Sequence, residues 1–280
     1  RNVYVVDSQK KLLGIIDVAS LIQADHTVRA DVMMKPTAVF LHPEADQEKA
    51  VFMAVKDDVV TIPVIDHDGH FLGSVTAHTI IDIMHAEHIE DSLLTAGLRR
   101  GKSQIFKLAT ERTGLIVRSR APWLIFGLAV GLGLGLISSF FETQLQEKVA
   151  LAYFIPVVAY IADSVGTQTE AIAVRALATM KIGVWRYLGK ELLVGLVLGV
   201  TMGVLGGFGA WFIAQSPEIG LIVALSLFFA STVAAVMAAA IPMIFKKLGK
   251  DPALGSGPLA TAFQDVISVL IYFLFAVIIL

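Results

Sequence analysis

Two regimes of apolar spacing divide the chain. In VYVVDSQKKLLGIIDVASLI (3–22) short apolar runs alternate with polar turns, and the pattern returns in IPVIDHDGHFLGSVTAHTII (62–81) at a constant offset of 59, matching Asp7 with Asp66 and Gly14 with Gly73. Each unit reads as an apolar strand, a polar turn, a second strand ending near the glycine, and an amphipathic helix; AVFLHP and a helical stretch over 44–56 precede the second unit. Within HDGH, Asp68-Gly69 predicts a tight turn between His67 and His70. From Ala121 the spacing changes. Five apolar segments follow, about 121–141, 149–178, 192–214, 219–245 and 258–280, each near the roughly 20 residues that cross a hydrocarbon core. Residues 86–120, between the two regimes, are helical in composition and turn basic toward their end (Arg99, Arg100, Lys102, Lys107, Arg112, Arg118, Arg120). Glycine recurs every fourth residue at 127, 131 and 135 and again at 195, 199, 203 and 207, predicting two small-residue helix faces for close backbone approach.

Composition sharpens this division. With 56% hydrophobic and only 16% charged residues, the chain is too apolar for an ordinary soluble domain. All seven histidines lie in the first 120 residues, so a soluble part precedes a nearly uncharged membrane part. There is no cysteine, hence neither a disulfide framework nor a thiolate metal site. Arg1 opens the chain without a methionine, a basic n-region or an apolar h-region, which predicts a piece truncated at its N-terminus. Five crossings place the two ends on opposite sides. The basic stretch before the first span, Lys181, Arg186 and Lys190 after the second, and Lys246, Lys247 and Lys250 after the fourth share one side, against Glu142, Glu147, Lys148 and Glu218 on the other. The positive-inside rule then makes the first part cytoplasmic and puts Leu280 outside, in a multi-pass cell-membrane protein. Nothing resembles a phosphate loop, and no nucleic-acid partner or enzymatic activity is expected.

The repeated strand–turn–strand–helix unit resembles a pair of CBS modules, the first lacking its front half. The resemblance implies α/β modules that regulate an attached domain and enclose a cleft for adenosine ligands. The family's ribose-contacting Ser/Thr-x-x-Asp falls on Asp17 and Ser20 in the first unit and on Thr76 and Thr79 in the second, which makes Asp17 and Thr76 the candidates for an adenine nucleotide. The expected organisation is a partial CBS module (1–30), a second module (31–91), a basic connecting helix (92–120) and an all-α transmembrane domain of five helices (121–280). On the helix after Gly73, His78, Asp82 and His85 recur at i, i+4 and i+7, presenting three metal-competent groups on one face as a candidate regulatory metal site.

Candidate chemistry concentrates in two spans. Asp265 lies seven residues beyond Pro258, about 10 Å into the last helix, where a carboxylate costs on the order of 2.5–3.5 kcal/mol. Asp163 lies fourteen residues into the second span from Val149, roughly 21 Å down a core about 30 Å thick, and so at a matching depth. Two acids at one level repel unless a cation sits between them. Glu170, seven residues after Asp163, shares its helix face nearer the cytosol. Pro156, Gly166 and the polar run Ser164, Thr167, Gln168 and Thr169 predict a helix interrupted where it lines a wet cavity. The candidate ligands are all oxygen, which favours a hard cation, and a sparse ligand set suits Mg²⁺, the ion that keeps its waters. A single Asp265 per chain makes a thin site, so a homodimer with the pore near its twofold axis is expected.

FFE (140–142), FIPVVAYIADSVGTQTEAIAVRALAT (154–179) and IPMIFKKLGKDPALGSGPLATAFQDVISVLIYF (241–273), behind the CBS pair, look like the MgtE family of magnesium channels. The resemblance implies that Asp265 holds a hydrated Mg²⁺ in the pore of a dimer, with the carbonyl of Thr261 one turn earlier, while the CBS region and an acidic N-terminal domain sense cytosolic Mg²⁺. The N-terminal domain lies outside this chain, and the family's Gly-Asn-Thr-Gly-Asn-Gln is replaced by Asp163-Ser164-Val165-Gly166-Thr167-Gln168, with Glu170 added. The expected function is therefore a passive divalent cation channel gated by its CBS modules, with Asp265, Asp163, Glu170, Thr261 and Gln168 around the ion. Alternatives are transport of Mn²⁺ or Co²⁺, an exporter coupled to Na⁺ or H⁺ through Glu170 or Asp163, or a membrane-anchored CBS sensor without transport.

Overall fold

The computed structural model describes residues 2–37, 39–96, 112–179, 183–255 and 257–280. The basic run from Arg99 to Lys107 and Lys181 lie outside the described residues. The chain forms two compact units, Arg1–Ile89 and Glu90–Leu280.

In the first unit, β1 (Asn2–Val6) pairs antiparallel with β2 (Leu12–Asp17), and β3 (Ile62–Ile65) with β4 (Phe71–Val75). The offset of 59 becomes geometry. Asp7 Oδ1 accepts from the backbone of Gln9 and Lys11 at 2.8 Å each, and Asp66 Oδ1 accepts from Asp68 and His70 at 3.0 and 2.8 Å. Lys10 and its counterpart Gly69 both adopt left-handed backbone, φ 66° and 88°. The register breaks at Val5/Val6 in one hairpin and at Val64/Ile65 in the other, which are again equivalent positions. The two turns meet by a reciprocal exchange: Leu12 N–H donates to Gly69 O at 3.0 Å and its equivalent, Phe71 N–H, to Lys10 O at 2.8 Å. That exchange maps onto itself under the offset, so the repeats are related by a pseudo-twofold. Helices α1 (Val18–Gln23), α2 (Ala30–Met33), α3 (Gln47–Lys56) and the part of α4 (Ala77–Thr95) up to Ile89 complete the unit, with Leu41, Ala50, Ile62 and Ile80 as a small core.

The second unit is helical: α5 (Thr113–Ser139), a short α6 (Glu142–Glu147), α7 (Leu151–Thr179), α8 (Val184–Ala214), α9 (Pro217–Lys247), a 3₁₀ turn at Pro252–Gly255, and α10 (Pro258–Ile279). The five long helices fall on the five predicted segments. Four of them, α5, α8, α9 and α10, are long and apolar enough to cross a membrane by length and composition. At 29 residues α7 matches them in length, but it carries Asp163, Ser164, Thr167, Gln168, Thr169, Glu170 and Arg175. The expected interruption of α7 is corrected: it is one continuous helix through Pro156 and Gly166. Pro156 sits in the second turn, where little of the hydrogen-bond ladder precedes it, and Gly166 has a packing reason described below.

The two glycine rows differ. Gly195, Gly199, Gly203 and Gly207 of α8 are buried against α9, and a Cβ at Gly199 or Gly203 would stand 2.6 and 2.7 Å from the carbonyl oxygens of Phe228 and Ala224. Thr232 Oγ1 bridges this seam, donating to Gly195 O at 3.2 Å and Phe228 O at 2.7 Å. Among the described residues nothing lies within 4 Å of a Cβ built at Gly127, Gly131, Gly133 or Gly135, and α5 buries no residue.

Candidate ion site in the helical unit

Helix α10 starts with Gly257 at its cap and Pro258 in the first turn, where a missing N–H costs nothing. Its residues then divide between two faces. Ala260, Gln264, Ser268, Tyr272 and Ala276 recur every fourth residue and are buried against the other helices. Pro258, Thr261, Ala262 and Asp265 face a cavity of about 750 Å³ whose far wall is α5, with Trp123, Gly127 and Gly131. Thr261 and Asp265, one turn apart, are thus brought together on this wall. Arg120 lines the same cavity, yet among the described residues the carboxylate of Asp265 has no ion pair and no hydrogen bond. Its charged neighbour is Asp163 of α7, within electrostatic reach. Oδ1 of Asp163 is sealed from solvent with no hydrogen-bond partner. Two acids on two helices thus interact electrostatically, and among the described residues no base is paired with either carboxylate.

Glu170 occupies a different place. It is 3% exposed and accepts from the backbone N–H of Gly257, so it caps the start of α10 and joins that helix to α7. Gln168, five residues from Asp163 and so on another face of α7, is exposed, and the structure does not bring it to the two acids. At the other end of α10, Tyr272 Oη donates to Leu151 O at 2.8 Å, tying it to the first turn of α7. Lys246 at the end of α9 donates to Leu177 O, meeting an unsatisfied carbonyl near the end of α7.

Two polar groups escape a reading of the sequence alone. Glu191, 5% exposed, accepts from Thr169 Oγ1 at 3.2 Å. The third apolar segment was expected to begin at 192, but α8 starts at Val184 and carries Glu191 inside. Its signal was the four-residue glycine row, which extends back one step from Gly195 to 191. The second is Gln264, 3% exposed, packed so closely on Gly166 that a Cβ there would overlap its Oε1.

In the first unit the repeat explains the candidates locally. Asp17 caps α1 by accepting from Ser20 N–H at 3.1 Å, and its equivalent Thr76 accepts from Thr79 N–H at 3.4 Å at the start of α4. His78 Nδ1 and Asp82 pair at 2.7 Å, but His85 does not join them in a metal-sized cluster. Among the described residues Asp66, Asp68 and His70 do converge, within 4.8 Å. Asp66 is occupied with its own turn, as Asp7 is in the first hairpin, where no histidine is present. The hydrogen bond from His70 also holds the Asp66 carboxyl below the usual carboxylate range.

A family model described as divalent cation transporter, MgtE, matches residues 155–275, spanning α7 to α10 with both acids, and a CBS-domain model matches 28–86. The chain carries an MgtE divalent cation transporter domain behind a CBS domain. The magnesium transporter MgtE of Thermus thermophilus is 32% identical over 278 residues, 96% of this chain and 60% of that protein. That of Enterococcus faecalis is 35% identical over 278 residues, 97% and 59% of the two. This chain therefore spans about 60% of the length of the curated relatives it matches. A solved cytosolic domain of the Mg²⁺ channel MgtE in complex with ATP is 32% identical over 29% of this chain and 33% of that one, with a TM-score of 0.28. These MgtE relatives are named as magnesium transporters, not as enzymes.

Proposed function

We propose that this chain conducts divalent cations, Mg²⁺ foremost, down their electrochemical gradient through a pore walled by α10. The observation that carries the reading is Asp265: an intramembrane carboxylate on a cavity wall, unpaired with any base among the described residues although Arg120 lines the same cavity, and beside a second acid on α7. An acid placed there is a functional group by default, and a positive ligand offsets the cost of its charge. The carbonyl of Thr261, one turn earlier on the same wall, is the natural second contact for the ion's water shell. An inside-negative potential contributes about 2.3 kcal/mol per charge per 100 mV, twice that for a divalent ion, so inward flow needs no other drive.

The working form is a homodimer. Among the described residues α5 forms the far wall of the cavity and nothing lies within 4 Å of a Cβ built on its glycine row, whereas the matching row of α8 is packed to backbone contact. A second copy on that face brings a second Asp265 and lines the pore on both sides. The first unit is cytoplasmic, Leu280 lies outside, α7 is the fifth crossing, and the CBS modules gate the pore in response to cytosolic Mg²⁺, with the adenosine cleft as their further ligand site.

The test is flux of Mg²⁺ into proteoliposomes for the parent chain, Asp265→Ala and Asp163→Ala. Removing a contact worth about 3 kcal/mol lowers flux roughly a hundredfold. Parent-like flux in both variants sinks the pore assignment, and no divalent flux by the parent leaves a CBS sensor on a membrane anchor.

A further inference from the structure

Helix α8 has two faces with different surroundings. Its glycine row is buried on α9. Counting from Arg186, positions 190, 193, 197 and 200 follow at i+4, i+7, i+11 and i+14, a spacing that keeps all five on one narrow stripe on the side away from that row. All five are exposed, Leu193 by 62%, Val197 by 59% and Val200 by 53%, and among the described residues neither Arg186 nor Lys190 has an ion pair. The stripe thus sets two basic groups at one end of an apolar ladder. That end is the rim of a span: α8 is long and apolar enough to cross a membrane, and Trp185 in its first turn is 86% exposed, where an amphipathic ring sits at headgroup level. At 1.5 Å per residue, the ten residues from Lys190 to Val200 rise about 15 Å, half of a hydrocarbon core about 30 Å thick. That is the depth of one leaflet, and so of one acyl chain.

The lysines of α9 at this rim lack such a ladder. Gly207 meets Gly220 and Gly195 meets Ala235, so the two helices run antiparallel and the last turn of α9 lies beside the first turn of α8. Lys246 of that turn is committed to Leu177 O, and one turn before Lys247 stands Met243, 7% exposed and packed inside the protein. Helix α5 also exposes leucines beyond Arg120, but that face lines the cavity assigned to the second copy.

We propose that this stripe of α8 is a binding site for an anionic phospholipid of the leaflet at that rim, which is cytoplasmic in the proposed orientation. The phosphate pairs with Arg186 and Lys190, and an acyl chain lies along Leu193, Val197 and Val200. Arg186 presents a planar fork that takes two phosphate oxygens, and Lys190, one turn deeper, adds a point charge. A zwitterionic headgroup carries its own cation beside the phosphate, so an anionic one is preferred. The inference needs α8 to be a membrane span and does not rest on the ion site, so it stands or falls apart from the channel reading.

The test is native mass spectrometry of the whole chain released from micelles that hold equal amounts of phosphatidylglycerol and phosphatidylcholine. The parent is expected to retain phosphatidylglycerol in preference. Arg186→Gln combined with Lys190→Gln is expected to lower the ratio of bound phosphatidylglycerol to phosphatidylcholine about thirtyfold, the equivalent of two contacts of roughly 1 kcal/mol each. Lys247→Gln combined with Lys250→Gln removes the same charge from the same end of the helices and is expected to leave the ratio as in the parent. Equal losses in the two double variants mean diffuse attraction to any basic surface and overturn the site, as does equal retention of the two lipids by the parent. Displacement of the phosphatidylglycerol by inorganic phosphate shows a bare anion site and refutes a lipid as its ligand. A changed oligomeric state in the Arg186 and Lys190 variant, with lipid retention unaltered, identifies the stripe as a contact between copies of the chain and overturns the lipid as its occupant.

Discussion

Two seams hold the helical unit together, and they are built on opposite principles. Between α8 and α9 the glycines at 195, 199, 203 and 207 bring backbones so near that a Cβ would stand 2.5–3.0 Å from its nearest neighbour. Between α7 and α10 the contacts are polar: the Glu170 cap on Gly257, Tyr272 on Leu151 O, and the unmet oxygens of Asp163 and Gln264. In lipid there is little hydrophobic gain from packing apolar helices together, so close approach is what stabilises the first seam. The second gives up some of that stability to hold unmet acceptors, which the proposed function puts to use for a cation. One seam supports, and the other carries the proposed site.

That contrast can be broken by substitutions on each side. The largest effect is expected at the polar seam and in transport alone: Asp265→Ala loses about a hundredfold in Mg²⁺ flux while its thermal unfolding in micelles stays that of the parent. A parallel fall in unfolding temperature would make Asp265 a structural group instead. Next, Gly199→Ala and Gly203→Ala are expected to destabilise by about 1–3 kcal/mol, because the new methyl meets a backbone carbonyl that cannot turn aside. Gly131→Ala, in open space on α5, gains up to about 1 kcal/mol of helix propensity within the single chain. Equal behaviour of the two glycine rows would erase the distinction. Glu170→Ala comes third, at about 1–3 kcal/mol of stability from the stranded Gly257 N–H; a stable variant with altered ion preference would move Glu170 into the ion site. Smallest is Tyr272→Phe, about 0.5–1.5 kcal/mol for the hydrogen bond to Leu151 O, read by the same unfolding experiment with flux unchanged.

The linear pattern alone determined a good deal. A two-residue alternation in one part and long apolar segments in the other are local properties of strand and helix, so the repeat at offset 59, its equivalent turns and all five long helices were legible. So was the place of Asp265 two turns into its helix, since α10 begins at Pro258 as the proline marks it. Tertiary structure alone decided which neighbour each helix face meets. Two glycine rows with the same spacing were indistinguishable in sequence, yet one is packed and the other open, because spacing encodes a narrow face and not its partner. Asp163, Glu170 and Gln168 lay in one polar run, and only packing separated a neighbour of Asp265 from a helix cap and an exposed amide. Gln264 and Glu191 went unseen for the same reason. Only the glycine row running back from Gly195 pointed at Glu191, and burial is a property of what the rest of the chain brings against a residue.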